Sequence, residues 1–159
     1  ATIATYKQLL PDYDKPMVYY PLSTLMLAGI KEILLITTPN DLSRFKQLLG
    51  NGKKWGISID YAIQKEPKGI PQAFTIGEKF IGKDNVAMIL GDNFFYGQNL
   101  TTKLKENTKI KKGARVVLHK VHYTEAFGVA KVDKKNKILS IKEFIQFILV
   151  YISYYSVCH

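Results

Sequence analysis

Apolar runs alternate with stretches of helical spacing along most of this chain, at intervals that predict repeated strand and helix units. Pro16–Ala28 (PMVYYPLSTLMLA) is largely apolar and closes on Gly29, the pattern of a buried helix with glycine past its end. Glu32–Thr37 (EILLIT) reads as a short β-branched strand bounded by Thr38-Pro39-Asn40-Asp41. Asp41 is placed to cap a helix over Leu42–Leu49, which Gly50-Asn51-Gly52 ends. Ile57–Ile63 alternates like a strand, and Pro71–Phe80 returns to helical spacing. Val86–Leu90 (VAMIL) is apolar throughout, which suits a central strand of a parallel sheet covered on both faces.

Beyond Arg115 the rhythm changes. Ala114–Val121, Gly128–Asp133 and Lys137–Ile141 read as strands joined by short turns, so an antiparallel edge is expected. The whole predicts an α/β fold with a doubly wound, mostly parallel sheet. Phe144–Cys158 stands apart, dense in aromatic and β-branched residues and almost uncharged. At fifteen residues it falls short of the roughly twenty needed to cross a bilayer as a helix. Two strands, an exposed aggregation-prone tail or a tail translated out of register are the expectations for it, and no membrane association is expected. Residues 1–143 are expected to form one domain, with 144–159 as a divergent hydrophobic tail.

Composition narrows the partners. The 159 residues are long enough for one domain with a sizeable core, and 47% of them are apolar or aromatic, which argues against disorder. A net charge of +10 favours anionic ligands: nucleotides, nucleic acid or acidic membrane surfaces. The basic residues crowd into Lys103–Lys112 and Lys131–Lys142 without the aromatic interleaving of a base-stacking platform, so nucleic acid is a minor expectation. A single cysteine, Cys158, allows no disulfide within the chain and suits a reducing cytoplasm. His119, His122 and His159 show no metal-ligand spacing with a carboxylate. The chain begins with Ala1 and no initiator methionine, which points to a piece of a longer protein, and it carries no secretory signal pattern.

Candidate chemistry gathers at three places. Lys7-Gln8-Leu9-Leu10-Pro11-Asp12-Tyr13-Asp14-Lys15-Pro16-Met17 offers two lysines to an anion and leads into the apolar segment, with Pro16 expected at the first helical position. Leu90-Gly91-Asp92-Asn93 ends a strand, where Gly91 permits close backbone approach and Asp92 could hold a hard cation against phosphate oxygens. Gln64–Gly69 (QKEPKG) follows a strand and precedes a helix, so Gln64 can read a base edge and Gly69 lets the backbone approach a ring. On residues alone Asp92 better suits a turn that caps its own backbone.

KQLLPDYDKPMVYYPLSTLMLAGI, EILLITTP, YAIQKEPKGIPQAF, ILGDNFFYG, FGVAKVD and ILSIKE together resemble the sugar nucleotidyltransferases, in order and spacing, from about Thr2 to Glu143. The resemblance implies a Rossmann-like fold and transfer of a nucleotidyl group from dTTP to glucose 1-phosphate, giving dTDP-glucose and pyrophosphate with Mg2+ as cofactor. It implies that Lys15 holds the phosphates, Asp92 ligates magnesium, Gln64 and Gly69 bind the base, and Gly128 and Glu143 bind the sugar. Family members form homo-oligomers through a region not matched here.

The chain departs from the family in three ways. It starts near the threonine of the GGxGTRLxPxT loop, so the first strand and the phosphate cradle are expected to be missing; Phe144 replaces the lysine of an E-K-P segment; and the resemblance stops at Glu143. An inactive or nearly inactive polypeptide is the expectation. The alternative is a noncatalytic basic module that binds nucleotide or RNA without turnover.

Overall fold

The computed structural model describes residues 7–66, 68–118, 129–135, 137–142 and 149–152. A 3-10 turn at Lys7–Leu9 leads into a small antiparallel hairpin, β1 (Pro11–Asp12) and β2 (Lys15–Pro16), in which Pro11 faces Pro16 and Asp12 faces Lys15. Tyr13 makes the turn in the left-handed region, with φ 67°. Pro16 is therefore a strand residue, and the helix α1 starts three positions later, at Tyr19–Leu27. The reason is local: a residue before proline is pushed out of helical backbone toward extended geometry, and Lys15 takes that conformation in the hairpin.

α1 is apolar on nearly every face, with Pro21, Leu22, Thr24 and Leu25 buried. Its buried hydroxyl is satisfied within the helix, since Thr24 Oγ1 donates to the Tyr20 carbonyl at 3.0 Å. Gly29, just past the C-cap Ala28, has φ 85° and donates to the Met26 carbonyl at 2.9 Å, as expected of a terminating glycine.

β3 (Glu32–Thr37), α2 (Leu42–Leu49) and β4 (Ser58–Ile63) form a right-sized βαβ unit, with β3 and β4 parallel and in register from Glu32 opposite Ser58 to Thr37 opposite Ile63. Asp41 stands at the N-cap position without capping: its carboxylate instead accepts the Thr38 hydroxyl at 2.6 Å and lies 3.7 Å from the Arg44 guanidinium. The first core cluster joins Val18, Leu22 and Leu25 to Ile33, Phe45, Leu49, Ile57 and Ile59. The Tyr61 hydroxyl ties β4 to the end of α2 by donating to the Gly50 carbonyl at 2.6 Å, and burial pushes its phenol pKa up.

The expected helix over residues 71–80 is two short ones, α3 (Gln72–Ile76) and α4 (Glu78–Ile81), broken at Gly77. β5 (Val86–Ile89), α5 (Leu100–Asn107) and β6 (Ala114–Val117) follow, then the antiparallel pair β7 (Val129–Val132) and β8 (Ile138–Lys142). A second, smaller cluster of Ala28 and Leu104 shares Ala87 and Ile89 with the first, so β5 lies along the seam between the two.

Within residues 144–159, Leu149–Ile152 forms β9, paired antiparallel with β5 on one side and β6 on the other in the order β5-β9-β6. β5 is thus internal in one direction through an antiparallel neighbour, and the parallel pairing among the described residues is that of β3 with β4. The apolar run had suggested a central strand of a parallel sheet; among the described residues β5 instead stands at the end of its sheet, is half-buried and pairs antiparallel, because an uncharged run reports apolar surroundings and carries no information on strand direction.

Thr37 closes β3 with 3% of its surface exposed, and its hydroxyl has no hydrogen-bond partner among the described residues. An unpaired buried hydroxyl costs about 1–3 kcal/mol, while valine keeps the shape and removes the polar atom. Thr37→Val is expected to stabilise the protein by about 1 kcal/mol, raising the unfolding midpoint by roughly 2–4 °C in a scanning melt. A midpoint that falls would mean the hydroxyl has a partner in solution.

Candidate functional site

Two loops at the carboxyl ends of strands carry the candidate residues. After β5, the chain turns through Leu90-Gly91-Asp92-Asn93, and the Asn93 side chain fixes the turn by accepting the Leu90 N–H at 3.3 Å. Asp92 is not consumed in capping its own backbone. Its Oδ2 lies 3.4 Å from Lys7 Nζ, and its side chain is 22% exposed. Oδ1 has no partner among the described residues.

Gly91 is where the two segments meet most closely: a Cβ there would run into the side-chain amide of Gln8. Glycine thus lets Gln8 lie directly against the backbone of the strand end. Gln8 is itself held by its main chain, whose carbonyl accepts the Val18 N–H at 3.0 Å.

Lys15, the lysine expected to hold the phosphates, is engaged by its own neighbour. Its Nζ lies 3.0 Å from both Asp14 carboxylate oxygens, and that hydrogen bond raises its pKa above the ordinary lysine value despite a smaller opposing effect of desolvation. The ammonium also sits 5.5 Å from the centre of the Tyr20 ring, and Tyr20 meets Phe94 edge-on at 5.0 Å. Lys15 therefore joins the Asp92 loop through two aromatic rings, whereas Lys7 reaches it directly. Lys7 and Gln8 are the residues whose placement the motif matching missed; the signal was the pair of lysines in one segment.

The second loop leaves β4. Gln64 donates its backbone N–H to the Thr37 carbonyl at 2.8 Å, which holds it level with the end of β3. Its side-chain Nε2 donates to Gln72 Oε1 at 2.6 Å, and the Lys68 backbone N–H donates to that same oxygen at 3.2 Å. Gly69 has φ 90°, a conformation that favours glycine, and the Glu66 and Lys68 side chains pair at 3.0 Å. Gly128 and Glu143, the expected sugar-binding residues, lie outside the described residues, as do His119, His122, Cys158 and His159.

The donor set at Asp92 bears on the kind of cation it can take. Among the described residues no group of three or more His, Cys, Asp or Glu side chains converges as a metal cage. A lone, half-open carboxylate with one oxygen unused suits magnesium, which keeps its waters and is usually held by one or two carboxylates together with substrate phosphates. The residues fit a metal that arrives with a polyphosphate.

Known proteins resemble the chain over most of its length. The nucleotidyl transferase family model matches residues 1–144. The chain is 56% identical over 137 residues to a glucose-1-phosphate thymidylyltransferase of Neisseria meningitidis, covering 86% of this chain and 48% of that protein. It is 50% identical over 142 residues to the enzyme of the same name from Mycolicibacterium smegmatis, covering 89% and 49%. The chain thus spans about half the length of the curated relatives it matches.

A Bacillus anthracis crystal structure assigned to glucose-1-phosphate thymidylyltransferase, in complex with a sucrose, superposes with a TM-score of 0.86 at 32% identity, covering 96% of this chain and 65% of that one. An apo UDP-glucose pyrophosphorylase shares the fold, with a TM-score of 0.71 at 20% identity over 92% of this chain and 68% of that chain. The α/β architecture, the paired loops at strand ends and the match over residues 1–144 converge: the chain belongs to the nucleotidyl transferase family.

Proposed function

We propose that this chain carries the nucleotide-handling half of a thymidylyltransferase, which joins dTTP to glucose 1-phosphate and releases pyrophosphate, in a cytoplasmic pathway of sugar-nucleotide synthesis. The observation that carries the reading is the Lys7–Asp92 pair at 3.4 Å, opposite charges from segments far apart in sequence meeting at a strand end. Such a pair can grip a magnesium-bound polyphosphate from both sides, the ammonium on phosphate oxygens and the carboxylate on the cation. Magnesium would neutralise phosphate charge and template the triphosphate there.

The protein's task in this reading is positioning and charge neutralisation, while a phosphate oxygen of the sugar attacks the α-phosphorus in line. Lys7 stabilises charge that develops on the phosphates, and Lys15, kept protonated by Asp14, adds a second cation nearby. Gln64 and Gly69 receive the base, and Gln8 lies against Gly91, next to Asp92. Gly128 and Glu143 are proposed to bind the glucose moiety.

Competition binding tests the proposal against a basic module that takes any anion. With magnesium present, dTTP should bind at least about tenfold more tightly than dATP, and the preference should survive a rise in salt, because base contacts are not counterion-driven. Affinity that ignores the base and collapses with ionic strength would favour the noncatalytic alternative.

A further inference from the structure

We infer that Gln72 fixes which way round Gln64 presents its amide, and thereby selects pyrimidines that offer a ring N–H beside a carbonyl over those that offer a bare ring nitrogen beside an amino group. The inference rests on the reading of residues 64–69 as the base loop. It adds a positioning residue that touches no ligand.

A glutamine amide can swap its oxygen and nitrogen by a half-turn, so a free Gln64 could pair with either kind of base edge. Here the half-turn is blocked by a chain of two hydrogen bonds. The Lys68 backbone N–H can only donate, so the atom of Gln72 that faces it, at 3.2 Å, has to be the oxygen. That same oxygen lies 2.6 Å from the Gln64 amide, so Gln64 has to turn its nitrogen toward it. Turning Gln64 over would set two carbonyl oxygens against each other at that separation.

Locked in this way, Gln64 has one N–H and its carbonyl oxygen left, and neither has another partner among the described residues. Thymine and uracil present a ring N–H to that oxygen and a carbonyl to that N–H. Cytosine presents a lone pair to the oxygen and an amino group to the N–H, so both contacts become repulsive. A site built to hydrogen-bond one pattern leaves its own polar groups unpaired with the other, which is the strongest form of small-ligand discrimination. The origin of the choice is a main-chain donor, Lys68, acting at second hand.

Titrations of the full chain with dTTP and with dCTP, both with magnesium, decide the matter. The unaltered protein should prefer dTTP by about tenfold or more. Gln72→Met removes the acceptor and should shrink that preference to about threefold or less, chiefly by improving dCTP binding, whereas Gln72→Glu, which can only accept, should keep it. Lys68→Pro deletes the N–H that sets the polarity while leaving Gln72 in place, and should shrink the preference in the same way; it also covers the case in which Gln72→Met fails to fold. A Gln72→Met or Lys68→Pro protein that retains the original preference overturns the inference. So does a Gln72→Glu protein that loses it. If the unaltered protein binds dTTP and dCTP equally, the base-loop reading itself fails and this inference falls with it.

Discussion

Asp92→Asn is expected to weaken dTTP binding in magnesium by about a hundredfold, yet to leave binding in excess chelator unchanged or slightly stronger. The two halves of this expectation come from one geometry. Asparagine keeps the size of the side chain but is a poor partner for a hard cation, so the metal-bridged form of the complex is lost. The Asp92 carboxylate also occupies the Lys7 ammonium at 3.4 Å. Once that carboxylate is neutral, Lys7 is released to a bare triphosphate, which compensates when no metal competes. Calorimetric titration with and without chelator reads both outcomes. Equal weakening under the two conditions would mean that Asp92 supports the loop rather than the cation, and Lys7→Ala would then be expected to mimic it.

Phe45→Ala should be the most damaging single change to the fold, costing about 3–5 kcal/mol out of a total of about 5–15. Phe45 is completely buried, on the face of α2 that packs across β3 and β4 with Leu49, Ile57 and Ile59. Truncation leaves a cavity walled by secondary structure that is anchored on both sides, so collapse can recover little of the loss. Chemical denaturation should show the midpoint falling sharply with little change in slope. Phe45→Leu, which retains most of the volume, should cost far less; similar losses from both substitutions would show that the cluster is not tightly filled.

Periodicity was a good guide wherever one pattern dominated. Glu32–Thr37 and Leu42–Leu49 have the boundaries that alternation and the flanking Gly50 implied, because turn residues close both elements on each side. It failed where two local preferences competed. Pro16 opens an apolar stretch and so looked like a helix start, but Tyr13 in the left-handed region turns the chain back and pairs Pro16 with Pro11. Asp41 had a helix to cap and a hydroxyl and a guanidinium within reach, and the latter hold it.

The candidate site divides along the same line. The strand-end placement of Asp92, Gln64 and Gly69 was legible because each lies in a short polar stretch that follows an apolar strand, a position defined by neighbours in sequence. The contact of Lys7 with Asp92 spans 85 positions, and Lys15 looked the better partner because it immediately precedes a proline and an apolar run. Nothing local distinguishes a lysine that crosses to another strand from one held by the aspartate beside it. Gln72 carries no local signal either, since what sets it apart is one oxygen that accepts from both the Gln64 amide and the Lys68 N–H.

The insertion of Leu149–Ile152 between β5 and β6 has a consequence for the order in which the molecule assembles. The unit of β3, α2 and β4 is contiguous and can close early as the polypeptide emerges. Val86 and Ala114, by contrast, both wait for Ile152, so the sheet that presents Asp92 is completed late and only through pairings distant in sequence. The strand end that carries Asp92 would then settle only after Leu149–Ile152 has been made, well behind the β3-α2-β4 unit.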